Sequence, residues 1–120
     1  MNGIDTNVLI RYLTQDDPKQ ARAVDALIAS TIEQGSRLRV DDVVVCELVW
    51  VLRHAYRFDR ATIASTLEKV LSTALFAFED RNVLRQALDD YRARGGDFAD
   101  YVIGRRNQKA GCETLSLIHI

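Results

Sequence analysis

Asp5 stands in "GIDTNVLI" after a single apolar residue and before a Thr-Asn pair and an apolar run. Asp is a poor strand residue and a good helix cap, so this position ends one element and starts another. "VVVCELVWVL", residues 43–52, carries one charged side chain, Glu47, in a stretch apolar on nearly every helical face. Such a stretch reads as a core helix, where an uncompensated carboxylate costs on the order of several kcal/mol. Glu47 therefore either meets a buried Arg or a gap to solvent, or faces a metal or substrate in a crevice. The second reading is preferred, because Leu or Gln would fill a purely structural position more easily. "GDFADYVIG" adds Asp97 and Asp100, three residues apart at a helix start, where they would share a face. That pair also resembles a capping box, so Asp97 has a structural explanation of its own. Convergence of Asp5, Glu47 and Asp100 on one crevice would make three carboxylates repel at neutral pH and so imply a cation. Oxygen-only ligands point to Mg²⁺ or Mn²⁺ rather than zinc.

The elements needed to bring these residues together can be read along the chain. Residues 2–5 form a very short apolar start, and "NVLIRYL" continues as a helix to about Thr14. Asp17 and Pro18 open a helix that Gly35 closes. "RLRV" alternates as a strand, and Asp41 and Asp42 cap a helix to about Tyr56. Asp59 starts another helix, "ALFAFED" reads as a strand, and Asp80 caps a helix that ends at Gly95-Gly96. "DFADYVIGRRNQKAG" is a further helix with Gly111 at its end, and "ETLSLIHI" is a strand candidate. Asp16, Asp17, Asp41, Asp42, Asp59 and Asp80 all sit at helix starts, where capping and the helix dipole explain them. Strands alternating with helices imply a parallel sheet covered on both faces, with its ligand crevice outside the carboxyl ends of the strands. Asp5 is placed to reach that crevice.

The totals fit one domain spanning residues 1–120. No apolar run is long enough to cross a bilayer and the start lacks a signal-peptide layout, so the chain is expected to be cytoplasmic and free of membrane contact. Cys46 and Cys112 lie far apart without a CxxC partner and read as reduced thiols. The formal net charge of −1 excludes a strong global pull on nucleic acid. Arginine outnumbers lysine thirteen to three, which is compatible with phosphate contacts and equally with surface ion pairs.

"IDTNVLIRYL", "ELVWVL", and "DFADYVIG" followed by "AGCET" together resemble PIN-domain ribonucleases, and most of all the VapC-type toxins of toxin–antitoxin pairs. The ordered match runs from Gly3 to about Thr114. The resemblance implies a three-layer α/β/α sandwich around a central parallel sheet and a Mg²⁺- or Mn²⁺-dependent endoribonuclease. Position by position, Asp5, Glu47 and Asp100 match the family's metal-binding acids and Asp97 a less central one. Asn7 matches a supporting polar residue, and Thr6 is placed to orient Asp5. The resemblance also implies an RNA substrate, transfer RNA among the candidates, a homodimer, and a cognate antitoxin that occupies the active-site groove. Arg11, Arg53, Arg105 and Arg106 are candidate RNA contacts, with surface salt bridges the competing role for each.

The family usually carries a fourth acid after its last strand, and that position falls at or near His119. Residues from about 115 to 120 are therefore atypical or truncated relative to the family, and "LSLIHI" has the look of appended sequence. The alternative function is a PIN-like binding module that lacks the fourth ligand and cleaves weakly or not at all. An aspartyl-phosphate enzyme or receiver-like domain is disfavoured. Asn7 stands where the phosphatase would want a second acid, and "ETLSLIHI" lacks the receiver's lysine.

Overall fold

The computed structural model describes residues 2–15 and 17–118, without the side chains from residue 112 onward. Asp16 and His119, and the side chain of Cys112, lie outside what is described. The order of elements is β1 (Asn2–Gly3), α1 (Thr6–Thr14), α2 (Pro18–Glu33), β2 (Leu38–Val40), α3 (Asp42–His54), α4 (Arg60–Leu71), β3 (Phe76–Phe78), α5 (Arg81–Arg94) and α6 (Phe98–Ile118). Three parallel strands in the order β1-β2-β3 form the sheet, with Asn2 opposite Leu38 and Leu38 opposite Phe76. Helices flank this sheet in an α/β/α arrangement, the sandwich expected from the alternation of strands and helices. No helix among the described residues is long and apolar enough to cross a membrane.

Local signals account for most helix starts. Asp5, Asp17, Asp59 and Asp80 each occupy an N-cap and accept backbone N–H groups from the first turn of the following helix. Asp41 also occupies an N-cap but makes no capping bond, and its carboxylate pairs with Arg39 at 2.9 Å. At the end of α2, Gly35 adopts φ 65°, the left-handed conformation that glycine reaches without a Cβ penalty, and its N–H bonds to Ile32 O.

The core is continuous between sheet and helices. Leu38, Val40 and Phe76 from the strands pack with Leu9, Val45, Leu48, Leu52, Ile63, Leu67 and Leu84 from the helices. Tyr12 meets Phe76 edge-on at 5.6 Å between ring centroids. β3 is an edge strand, and its outward carbonyl at Phe76 accepts from both Arg37 and Arg81, each at 2.7 Å. Two guanidinium groups thus occupy an acceptor that would otherwise be open to another strand.

Two expectations are corrected. The helix read as ending at Gly111 continues to Ile118, so residues 113–118 do not form the expected final strand. A helix completes its hydrogen bonds within itself, whereas a strand needs a neighbour, and an interior glycine costs only about 1 kcal/mol. Glu47 is not in a buried environment either. α3 turns Val45, Leu48, Val49 and Leu52 into the core, while Val43, Glu47, Trp50 and His54 lie exposed on its other side.

The division of α3 into two faces is testable by urea unfolding. Leu48→Ala, at a fully buried position, is expected to lower stability by about 2–5 kcal/mol. Val43→Ser, on the exposed face, is expected to stay within about 0.5 kcal/mol of the parent. Equal losses from both would show that α3 is rotated from the orientation described.

Candidate active site

β1 ends at Gly3, and Ile4 N–H bonds to Arg39 O at 3.0 Å, which extends the pairing up to the residue before Asp5. The chain then turns directly into α1. Asp5 is exposed, adopts an extended conformation and accepts Val8 N–H at 2.8 Å through Oδ1. Thr6 follows, buried, and its Oγ1 donates to Glu47 Oε2 at 2.8 Å across a sequence separation of 41 residues. This bond ties the first turn of α1 to the middle of α3 and brings Glu47 beside the residue next to Asp5. Asn7 is exposed in the same first turn.

The acids of "GDFAD" do not share a face. Asp97 accepts Ala99 N–H at 3.2 Å and lines a cavity on the α3 side with Val49, Trp50, Arg53 and His54. Asp100 instead lines a cavity on the α5 side with Asp90, Arg94, Tyr101 and Arg105. The i, i+3 rule applies between two helical residues, and Asp97 precedes the first residue of α6, Phe98. α6 is fastened to α5 by a bidentate pair, Arg105 Nε and Nη2 to Asp90 at 2.7 and 2.8 Å, and by the hydrogen bond from Tyr101 Oη to Gly95 O. Among the described residues, no three Asp, Glu, His or Cys side chains gather into a group able to hold a metal. Of the expected convergence of Asp5, Glu47 and Asp100, the structure shows a link between Glu47 and Thr6, the residue after Asp5, while Asp100 lines a different cavity.

The donor chemistry on this side nevertheless suits a hard cation. Asp5 and Glu47 offer oxygen, and the nearby sulfur is withheld. Burial, together with the negative charges of Asp42 and Asp97, pushes the Cys46 thiol up to about 11. It is therefore protonated across the neutral range and a poor ligand. Asp42 is held by Arg106, whose Nε donates to Oδ2 at 2.8 Å, and Arg106 also lies 3.2 Å from Glu79. Burial lowers the Arg106 pKa, but the hydrogen bond and charge of Asp42, with Glu79 and Asp80, raise it on balance.

The candidate RNA contacts separate in the same way. Arg105 and Arg106 are held in the ion pairs just described, and Arg11 is half-buried near the end of α1. Arg53 is exposed on α3 and engages no carboxylate among the described residues. Sequence reasoning passed over Trp50, which is 62% exposed one turn from Glu47. A large aromatic left open on a helix facing the site was hidden by the apolar run around it.

A parallel-sheet domain with an acid just past its first strand, and the next residue bonded to an acid on α3, suggests a class, and direct comparison agrees with it. Residues 4–116 match the PIN domain, and the chain belongs to that family. It is also 30% identical over 115 residues to a VapC ribonuclease of Aquifex aeolicus (strain VF5), spanning 96% of this chain and 84% of the relative. Within the family the chain is thus of the VapC type, a group of ribonuclease toxins. No solved structure matches it.

The raised Cys46 pKa predicts slow alkylation by iodoacetamide. At pH 8 only roughly a thousandth of the thiol would be thiolate, against about a quarter for an ordinary cysteine. Followed on the Cys46 peptide by mass spectrometry, the rate should climb through pH 10. Asp97→Asn should raise it at fixed pH, since one of the charges opposing ionisation is gone. A rate at pH 8 equal to that of a free thiol would contradict the described environment.

Proposed function

We propose that this chain is a divalent-metal-dependent endoribonuclease toxin, acting on RNA and held inactive by a cognate antitoxin. The observation that carries the reading is the hydrogen bond from Thr6 to Glu47, which ties the middle of α3 to the residue that follows Asp5. Asp5 and Glu47 are assigned as ligands of Mg²⁺ or Mn²⁺, with Thr6 and Asn7 in support. Asp100 is the third ligand by family match, and Asp97 is the acid of that pair nearer α3. When bound, the ion would supply charge neutralisation at the scissile phosphate and a more acidic water. The chain's own part is to hold two carboxylates in place: Asp5 through its cap bond to Val8, Glu47 through Thr6. Cytoplasmic location and a homodimer belong to the same proposal.

A second reading is a PIN-like module that binds without cleaving. It is favoured by Asp100 lining a cavity on the α5 side rather than the groove that Glu47 borders.

Cleavage of a mixed transfer-RNA pool, with Mn²⁺ or Mg²⁺ and with EDTA, separates the two readings. The nuclease reading expects metal-dependent cutting that falls about 100-fold or more in Asp5→Asn, and about 10- to 100-fold in Thr6→Val, which removes only the bond orienting Glu47. Calorimetric Mn²⁺ binding to Asp97→Asn beside Asp100→Asn then identifies the acid that completes the site. A folded parent that binds RNA but never cuts it would establish the binding module instead.

A further inference from the structure

α3 carries its exposed side chains in one stripe. Val43, Glu47, Trp50 and His54 follow at helical spacing, and Arg53 stands beside them. Trp50 is the divider on this face. Towards Glu47 it borders an apolar groove with Val43, Cys46, Val102 and Ile103. Towards the C-terminal end of α3 it borders a cavity of about 450 Å³ that is lined by Arg53, His54, Arg60, Tyr91 and Asp97.

That cavity joins three features. Its aromatic wall is a pair, since the Trp50 and His54 rings lie 4.6 Å apart at 40°. One cation is fixed: Arg60 donates to Gly96 O at 2.7 Å and Tyr91 O at 2.9 Å, and its guanidinium lies 3.7 Å over the Tyr91 ring. A second cation, Arg53, is uncommitted among the described residues. The buried Tyr91 hydroxyl also has no hydrogen-bond partner among the described residues. Against these cations stands a single carboxylate, Asp97.

An exposed aromatic pair beside an uncommitted guanidinium is the chemistry of single-stranded nucleic acid binding, where bases stack and arginine meets phosphate. The size also suits a nucleoside, within the range of small-ligand cavities. A purely protein-binding face would favour the apolar side of Trp50, where Val43 and Ile103 are exposed. We propose that the Trp50–His54–Arg53 cavity is a subsite for one unpaired nucleotide of the RNA, its base stacked on Trp50 and its phosphate facing Arg53. This rests on the ribonuclease reading for the identity of the polymer. The stack needs an unpaired base, because the bases of a duplex offer no free face.

Trp50 is the only tryptophan in the chain, so its emission reports on the subsite directly. Asp5→Asn protein in Mg²⁺ would be titrated with a short single-stranded RNA, a duplex of the same sequence, and inorganic polyphosphate. The subsite requires saturable quenching by the single strand and much less by the other two. By anisotropy of a labelled strand, Trp50→Ala should bind about tenfold more weakly and Trp50→Phe should recover most of the loss. Arg53→Gln should lower the slope of log affinity against log salt by about one. Circular dichroism checks that each variant folds.

Equal quenching by polyphosphate, or unchanged RNA affinity in Trp50→Ala, would overturn the subsite. So would unchanged RNA affinity with a changed mass of Trp50→Ala in light scattering, which would assign this face to a protein interface. The two readings fail separately. Intact quenching in a parent that never cuts RNA would sink the nuclease and support the subsite. Normal cutting with an unchanged KM in Trp50→Ala would sink the subsite and keep the nuclease.

Discussion

The rotation of α3 about its own axis is the constraint on which the candidate site depends. Val45, Leu48, Val49 and Leu52 must all enter the core, and together they leave only one face of the helix outward. Glu47 and Trp50 lie on that face with no freedom to be elsewhere. The bond from Thr6 then fixes Glu47 to the start of α1, whose own position follows from Asp5 capping the helix two residues past β1. A small polar group thus sets the geometry that hydrophobic packing has already narrowed. Such a bond contributes only about 1 kcal/mol to folding. Its larger effect is on the direction of a carboxylate.

What was legible in the sequence is mostly what is decided locally. Asp17, Asp59 and Asp80 announce their helices because a cap needs only its own first turn. The short strands Leu38–Val40 and Phe76–Phe78 were located to within a residue or two by alternation and flanking turns. Failures arose where the answer depends on a distant partner. Residues 113–118 have strand-like composition, but a strand is defined by its neighbour, and the helix of α6 carries through them. The burial of Glu47 was misjudged for the same reason. An apolar run states which residues prefer the interior but not how many sides of the helix the rest of the chain will cover.

The arginine excess shows how structural demand can imitate a functional signal. Arg37 and Arg81 close the edge of β3. Arg60 holds α4 to the end of α5 and to Gly96, and Arg85 and Arg92 both reach Glu68. Arg105 and Arg106 fasten α6 to Asp90 and Asp42. Each of these uses the planar fork to bind carbonyls or carboxylates, a geometry lysine does not match. Subtracting them, and Arg39 with its Asp41 pair, leaves Arg11, Arg22, Arg53, Arg57 and Arg94 as candidates for an outside partner. Composition alone could not make that subtraction.

The near-neutral chain also limits how RNA can be held. With a net charge of −1, attraction must come from a local arrangement rather than from the whole surface. Asp5 and Glu47 repel phosphate wherever no cation offsets them. A stacking contact carries no such penalty, because an aromatic ring accepts a base whatever the charge nearby. Under the proposed reading, Trp50 lets the strand approach the acids through an uncharged surface, and Arg53 supplies positive charge beyond it. Affinity would then depend less on salt than in a protein that binds through many phosphate contacts. An acidic centre flanked by an aromatic divider and a cationic cavity is thus physically consistent with a polyanionic substrate, although net charge gave no hint of one.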